Sequence, residues 1–407
     1  MNGTVPRQGS RPADAALLDD VRDRLLLAPG PVTDADIAEA VRASGRVLGA
    51  AGTLHAVQAV RAELTGLGPL EPLLPRQGLT DVYVNGPDQV WVETQDGVRR
   101  VESPFGSDAE VRALAVRLVT AAGRRLDAAH PCADVQTAAG YRVHAVLPPV
   151  STGGTLLSVR FRAPAALSLD DLVAAGAVHP ELARLLAAAV RSGTNFLVSG
   201  ATGAGKTTLL NALLSCAPAH ERLVLIEDAA ELRPAHPHVV GLQARHANAE
   251  GAGRIDLAEL VRQALRMRPD RIVVGECRGA EVRELLTALN TGHAGAGTVH
   301  ANSAAAVPAR LAALGALAGM SREAVVLQAA SALDLLVHVA RDAGPREVRT
   351  LSLLEERDGA LVARPAAVRS GSGVQPGPGW DALCALLDRP LTPARGRTSP
   401  GRPEGAS

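Results

Sequence analysis

The sequence predicts an α/β domain with a mostly parallel, doubly wound sheet over residues 170–356. Two observations support this prediction. Short apolar runs alternate with segments of helical periodicity, which is the pattern of a parallel sheet with helices on both faces. A glycine-rich stretch at 200–208 also separates an apolar run from a helical segment. Parallel sheets bind their ligands at such turns, beyond the carboxyl ends of the strands.

Each element of this domain is predicted from its own pattern. Runs rich in Leu, Val and Ile indicate strands, and apolar residues spaced three and four apart indicate helices. The predicted strands are 196–199, 223–227, 238–243, 271–275, 296–300 and 334–340. The predicted helices are 180–192, 206–216, 256–267 and 279–291.

The rest of the chain is predicted to hold one smaller domain and two irregular ends. Residues 1–14 are polar with Gly and Pro, so we expect disorder, and residues 15–65 have helical spacing and form a helical lead-in. Residues 66–162 combine strand patterns with one helical segment, which predicts an α+β domain, and 163–169 is a linker. Residues 357–407 are rich in Pro, Gly, Ser and Arg and predict a mostly disordered tail, with a short helix possible at Trp380–Leu387.

Composition and charge exclude several function classes. Lys and Arg together number 42, as do Asp and Glu, and aromatic residues make up 2%, which argues against a nucleic-acid binder. The four cysteines are scattered without a C-x-x-C pair, which argues against zinc and disulfides and suits a reducing cytoplasm. No apolar run of about 18 residues exists, so we expect no membrane span.

The stretch at 200–207 fits the phosphate-loop pattern, in which two glycines four residues apart are followed by Lys and a hydroxyl residue. Lys206 is predicted to contact the β- and γ-phosphates of ATP, and Thr207 to bind Mg²⁺. Lys206 is also the only lysine of the chain, which indicates a position where a planar guanidinium would fit poorly. The predicted nucleotide-binding residues are Gly200, Ala201, Thr202, Gly203, Ala204, Gly205, Lys206, Thr207 and Thr208.

Two apolar strands end in carboxylates that we expect beside this loop. Glu276 ends one strand, where a carboxylate binds Mg²⁺ through water or orients the attacking water. Glu227 ends another and is followed by Asp228 and Glu231. Glu227 is the preferred general base, Asp228 or Glu231 supports it, and Asp228 is also a candidate Mg²⁺ ligand. A solvated acidic turn is the alternative interpretation of this cluster.

Two histidines, His293 and His300, surround a glycine-rich connection that we expect at the active edge of the sheet. They are candidates for sensing the γ-phosphate or for coupling it to movement, and a structural role is the alternative. Their spacing does not match a zinc site.

Together these motifs resemble the secretion ATPases of type II and type IV systems, and within them the Tad/Flp-pilus (CpaF-like) branch. The likeness covers about residues 60–355. In the second domain it is carried by the phosphate loop, I-E-D-A-A-E-L at 226–232, A-L-R-M-R-P-D-R-I-V-V-G-E at 264–276, R-G-A-E at 278–281 and N-T-G-H…H-A-N-S at 290–303. In the first it is carried by G-L-G-P-L-E-P-L-L at 66–74, D-V-Y-V-N-G-P at 81–87 and R-V-H-A-V-L-P-P at 142–149.

The resemblance implies a homo-hexamer in which a mobile linker joins the N-terminal domain to a RecA-like motor domain. It implies that 226–232 is the Asp box, that Glu276 is the Walker B carboxylate, and that His293 and His300 form the His box. The connection between the histidines is one residue shorter than expected, and Ala294 replaces an acidic residue that often follows the first of them. The exact role of His293 is therefore left open.

The resemblance also implies a role for three arginines of the first domain. Arg142, Arg160 and Arg162 would approach the phosphates once the two domains close. The cysteine pairs of the zinc module found in type II secretion and type IVa pilus ATPases are missing from this sequence, which favours the zinc-free branch.

The sequence thus predicts a hexameric, Mg²⁺-dependent ATPase that powers Tad/Flp-type pilus assembly or secretion. The alternative is a type IV secretion or conjugal-transfer ATPase that moves DNA or protein, and a more distant one is a nucleic-acid motor of the RecA or helicase kind. A degenerate ATP-binding scaffold is disfavoured because the motifs are complete. The expected location is the cytoplasm, at the inner face of the cell membrane through inner-membrane platform proteins.

Overall fold

The computed structural model describes residues 34–44, 66–74, 78–94, 97–137, 139–161, 167–245, 252–341, 346–371 and 373–388. The chain divides into two compact units, Met1–Ala163 and Pro164–Ser407. Helix α1 (Asp34–Ala43) lies within the predicted helical lead-in. The rest of that lead-in, the predicted disorder at 1–14 and most of the predicted linker lie outside the described residues.

The first unit contains a six-stranded antiparallel sheet in the order β3-β2-β1-β6-β5-β4. Its strands are β1 (Asp81–Asn85), β2 (Val90–Thr94), β3 (Gly97–Val101), β4 (Cys132–Gln136), β5 (Arg142–Val146) and β6 (Leu156–Arg160), and its helices are a 3₁₀ turn (Gly68–Leu73) and α2 (Asp108–Ala121). Alternate strand residues such as Val82, Val143 and Val159 form one core with α2. Edge strand β3 is mostly exposed, so it lacks the apolar alternation by which the sequence would have predicted it.

The second unit contains the predicted doubly wound sheet, in the order β15-β14-β13-β12-β7-β11-β10-β8-β9. Its strands are β7 (Phe196–Gly200), β8 (Leu223–Glu227), β9 (Val239–Gln243), β10 (Arg271–Cys277), β11 (Ala294–His300), β12 (Leu335–Ala340), β13 (Glu347–Arg357), β14 (Ala360–Ser370) and β15 (Gly373–Pro376). From β12 to β9 neighbouring strands are parallel.

Helices cover this sheet. They are α3 (Leu169–Ala174), α4 (Pro180–Arg191), α5 (Lys206–Leu214), α6 (Leu257–Leu265), α7 (Glu281–Asn290), a 3₁₀ turn (Ala304–Ala306), α8 (Val307–Leu317), α9 (Arg322–Ala332) and α10 (Trp380–Leu387). The six predicted strands and four predicted helices are all found, and α3, α8, α9 and the 3₁₀ turn are additions. None of the helices in the described ranges is long and apolar enough to cross a membrane.

Both faces of the central strands are buried, which explains their continuous apolar runs. All five residues of β7 are buried. Phe196 and Val198 point into one core, and Leu197 points into the other. A strand covered by helices on both faces needs apolar side chains at every position, because alternate residues serve opposite cores.

The predicted linker extends too far. Ser168 caps α3 through a reciprocal pair of hydrogen bonds with Asp171, so the second unit is already regular at Leu169. Ser and Asp three residues apart are a helix-start signal, which the sequence analysis did not use here.

The prediction that residues 357–407 are mostly disordered is wrong for strands β14 and β15, and the short helix expected at Trp380–Leu387 is confirmed as α10. Strands β14 and β15 extend the sheet beyond β13, and α10 follows. The Pro content of this segment wrongly suggested disorder. Pro365 is exposed within β14 and lies opposite a register shift in β13, where a residue without a backbone N–H is tolerated. Next to it, Ala366 and Ala367 are fully buried. Residues 389–407 lie outside the described residues.

Two truncations test this boundary. A chain ending at Arg357 loses Leu361 and Leu383, which are buried in the two cores of the second unit. Burial of two such side chains is worth about 3–6 kcal/mol, so we expect the thermal midpoint of the second unit to fall by about 10 °C or more. A chain ending at Asp388 keeps β14, β15 and α10 and should melt like the full chain. Equal midpoints for both truncations would contradict the assigned boundary.

Candidate nucleotide-binding site

The phosphate loop connects β7 to α5, at the carboxyl edge of the parallel strands. Gly203 and Gly205 have φ values of 71° and 96°, in the left-handed region that favours glycine. A methyl group on Gly200 would lie 2.4 Å from the carbonyl oxygen of Val339 in β12, so this position has no room for a side chain. The loop leads directly into the N-terminus of α5, where backbone N–H groups without helical partners favour an anion.

Lys206 is buried at the start of α5 and folds back over the loop. Its Nζ donates to the carbonyl oxygens of Gly200 at 3.1 Å and Ala201 at 2.9 Å. It also lies 3.2 Å from Nδ1 of His300. Burial lowers the pKa of Lys206, and the nearby Glu276 carboxylate opposes that shift. The ammonium is therefore held at the loop by acceptors on two sides.

His300 links Lys206 to Glu276. Its Nε2 lies 2.5 Å from Oε1 of Glu276, on the other side of the ring from Lys206. An ammonium can only donate, so Nδ1 accepts and the proton of a neutral imidazole lies on Nε2, facing the carboxylate. Burial lowers the pKa of His300, which favours this neutral form. The result is a chain of close contacts from the loop lysine through His300 to Glu276.

The sheet register explains why His300 reaches the loop. Strand β11 runs parallel to β7, and His300 pairs in register with Gly200, the first residue of the loop. The prediction for His300 therefore has a geometric basis.

Glu276 lies near the end of β10, where the pairing with β11 shifts register between Val274 and Cys277. An irregularity of this kind redirects side chains at a strand end. Oε2 of Glu276 accepts a hydrogen bond from Arg278 at 2.5 Å. Arg278 was not among the predicted site residues, although it follows Glu276 by only two positions.

Glu227 is buried against Gly275, the residue before Glu276. A methyl group on Gly275 would lie 2.7 Å from Cγ of Glu227, so the glycine makes room for this side chain. Oε1 of Glu227 accepts from the backbone N–H groups of Glu231 and Leu232, both at 3.0 Å. The carboxylate therefore organises the turn after β8.

The predicted supports of Glu227 differ in exposure. Asp228 is half-buried and Glu231 is exposed. Glu231 contributes its backbone N–H to Glu227, so the connection between these two acidic residues runs through the main chain.

His293 is not brought to this site within the chain, so the expectation that both histidines share the active edge is wrong. His293 directly precedes β11, whereas His300 ends it. Seven residues of strand span about 23 Å, which places His293 at the opposite edge of the sheet. Its Nδ1 lies 3.2 Å from Oγ1 of Thr291 and 3.3 Å from the carbonyl oxygen of Ala288.

The predicted arginines of the first unit have partners within that unit. Arg142 forms an ion pair with Asp134 at 2.7 Å, and Arg160 pairs with Asp81 at 3.0 Å. Arg162 lies outside the described residues. Their approach to the phosphates stays a prediction.

The residues present fit a bound Mg²⁺. Mg²⁺ prefers hard oxygen ligands and keeps several waters, so one or two protein groups plus substrate phosphates suffice. Thr207 supplies a hydroxyl next to Lys206, and Glu276 and Asp228 supply carboxylates at strand ends. Within the described ranges, no cluster of three or more His, Cys, Asp or Glu side chains forms a metal site without such phosphates.

Arg310 is a further site residue that the sequence analysis missed. It lines a cleft of about 850 Å³ together with Thr202 and His300. Its charge also acts on His300 and contributes to the lowered pKa of that ring. A signal was present, because Arg310 is the only charged residue of helix α8.

Comparisons with known proteins show which proteins this chain is similar to. The family model described as Type II/IV secretion system protein matches residues 63–372. Putative conjugal transfer protein Rv3659c of Mycobacterium tuberculosis (strain H37Rv) is 54% identical over 325 residues, which cover 78% of this chain and 92% of that protein. The Type IV secretion system protein PtlH homolog of Bordetella bronchiseptica is 36% identical over 263 residues, or 58% of this chain and 77% of that protein.

A solved structure supports the fold. The ATPase DotB of Yersinia pseudotuberculosis superimposes with a TM-score of 0.50 at 19% sequence identity, covering 71% of this chain and 78% of that one.

Proposed function

From the premise that this chain belongs to the type II/IV secretion system protein family, we propose that it hydrolyses ATP to drive macromolecular transfer across a cell envelope. The observation that carries the proposal is the chain of contacts Lys206–His300–Glu276 at the phosphate loop. It joins the group that binds the phosphates to the carboxylate placed for hydrolysis.

In the proposed mechanism the loop N–H groups and Lys206 bind the phosphates. Thr207, Glu276 and Asp228 would hold Mg²⁺, which would supply positive charge to neutralise the phosphate oxygens. Glu276 orients the attacking water, and the ring of His300 lies against this carboxylate, with Nε2 2.5 Å from Oε1. This assignment differs from the preference for Glu227, because Oε1 of Glu227 already accepts two backbone hydrogen bonds.

The proposed assembly is a homo-hexamer that works at the inner face of the cell membrane through platform proteins. ATP hydrolysis in the second unit would move the two units of the chain against each other. Arg142, Arg160 and Arg162 of the first unit would reach the nucleotide when the units close on it. Arg142 and Arg160 would then have to leave the carboxylates with which they pair. The resemblance of the motifs supports this part of the proposal.

We propose a conjugal-transfer or type IV secretion system as the setting. The similar proteins from Mycobacterium tuberculosis and Bordetella bronchiseptica are named for conjugal transfer and type IV secretion, which supports this choice over a pilus. Tad/Flp-type pilus assembly is the second candidate, because the segments at 66–74, 81–87 and 142–149 resemble the CpaF-like branch.

A gene deletion complemented by two alleles distinguishes these settings. The wild-type allele should restore transfer of a marked plasmid to recipient cells, or export of a secreted protein. The Lys206→Ala allele should restore neither. Loss and recovery of surface pilin with unchanged transfer would support the pilus instead. If deletion changes neither transfer nor pilin, the proposed function is wrong.

A further inference from the structure

Two arginines lie on the side of the phosphate loop that the proposed chemistry does not use. Arg341 directly follows β12, and Arg346 directly precedes β13. Strand β12 runs parallel to β7, so Arg341 lies at the edge where the phosphate loop begins. Strand β13 is antiparallel to β12 and therefore starts at the same edge.

Both side chains are next to the left-handed glycines of the loop. A methyl group built on Gly203 would lie 4.0 Å from Nη1 of Arg341, and one on Gly205 would lie 3.4 Å from Cδ of Arg346. Both arginines are exposed. Within the part of the chain that the structure describes, neither has a hydrogen-bond or ion-pair partner. Two unpaired guanidinium groups thus flank an anion-binding loop.

The sheet order indicates which phosphates these arginines face. Strands β12, β7, β11 and β10 follow one another, so β12 and β10 lie on opposite sides of the loop. Glu276 lies on the β10 side of the loop. Lys206 contacts His300, which contacts Glu276 on that same side. A triphosphate with its γ-phosphate at Glu276 therefore extends its nucleoside-proximal phosphates toward Arg341 and Arg346.

We infer that Arg341 and Arg346 bind the α- and β-phosphates of the nucleotide held by their own chain, an inference that rests on the proposed function. A guanidinium presents paired N–H donors that match phosphate oxygens. The α- and β-phosphates remain after hydrolysis, so the two arginines hold ADP as well as ATP. They therefore slow product release.

The test is nucleotide binding by the double variant Arg341→Ala/Arg346→Ala in the full chain. The dissociation constants of ADP and ATP, measured by calorimetry with Mg²⁺, should both rise by about tenfold or more. ADP dissociation should speed up correspondingly. The double variant Arg341→Lys/Arg346→Lys keeps the positive charges but lacks the paired N–H donors of a guanidinium. Its dissociation constants should lie between those of the wild type and those of the double alanine variant. Arg357→Ala is the control, because Arg357 is exposed at the other end of β13.

Lys206→Ala, measured in parallel, separates this inference from the proposed function. Suppose that Lys206→Ala loses nucleotide affinity while the double alanine variant binds ADP within about twofold of wild type. That result would overturn the inference and leave the proposed function standing. Weakened ATP binding with unchanged ADP binding would also overturn it, because the arginines would then act at the γ-phosphate. Full affinity in Lys206→Ala would refute the proposed function itself. Equal unfolding midpoints without nucleotide establish that each variant is folded.

Discussion

Replacing Lys206 by alanine is expected to abolish ATP turnover. Nζ of Lys206 is held at the loop by two carbonyl oxygens and by His300, and no other lysine exists in the chain to replace it. Losing one preorganised charge contact to the reacting group costs about 100-fold or more in rate. Phosphate release by the purified full chain measures this effect. Turnover within a few-fold of wild type would refute the phosphate-loop assignment.

Lys206→Arg is the graded companion of that variant. It keeps the positive charge but places a planar fork where the ammonium is enclosed by backbone carbonyls. We expect impaired turnover here too, since the loop fits a compact charge. Arg357→Ala removes an exposed cation at the far end of β13 and should hydrolyse ATP normally.

Replacing Glu276 by glutamine is expected to separate nucleotide binding from hydrolysis. The amide keeps the shape of the side chain, so ATP should still bind. Turnover should fall by about 100-fold or more, because the group that orients the attacking water loses its charge. Calorimetric ATP binding and phosphate release on the same preparation measure the two effects.

Glu227→Gln is the matched comparison for Glu276→Gln. Its remaining oxygen can still accept from the backbone of Glu231 and Leu232, so the turn after β8 should persist. We expect a smaller loss of turnover than in Glu276→Gln. Full loss in Glu227→Gln with activity kept in Glu276→Gln would make Glu227 the general base and overturn the proposed assignment.

Much of the fold was predictable because the second unit follows local rules. Strands buried on both faces, such as β7, need continuous apolar runs, and those runs are visible in the sequence. The phosphate loop was predictable for the same reason, since its glycines and Lys206 are set by local backbone geometry. Glu276 and His300 followed once the strand order placed their strand ends at one edge.

The errors came from features that depend on distant partners. Strand β14 contains Pro365 and two arginines, and only pairing with β13 makes it a strand. His293 shares a motif with His300 but lies at the other end of β11. Arg341 and Arg346 come near the loop only through tertiary packing, so no local pattern identifies them as site residues.

The most direct test of the site uses the fact that Lys206 is the only lysine. An amine-directed acylating reagent then modifies a single side chain, and the labelled peptide can be followed by mass spectrometry. Burial lowers the pKa of Lys206, which increases the fraction of reactive neutral amine. With Mg²⁺ and ATP at about 100 times the dissociation constant, acylation of Lys206 should slow by about 100-fold. Equal acylation rates with and without saturating ATP would contradict a phosphate-binding role for Lys206.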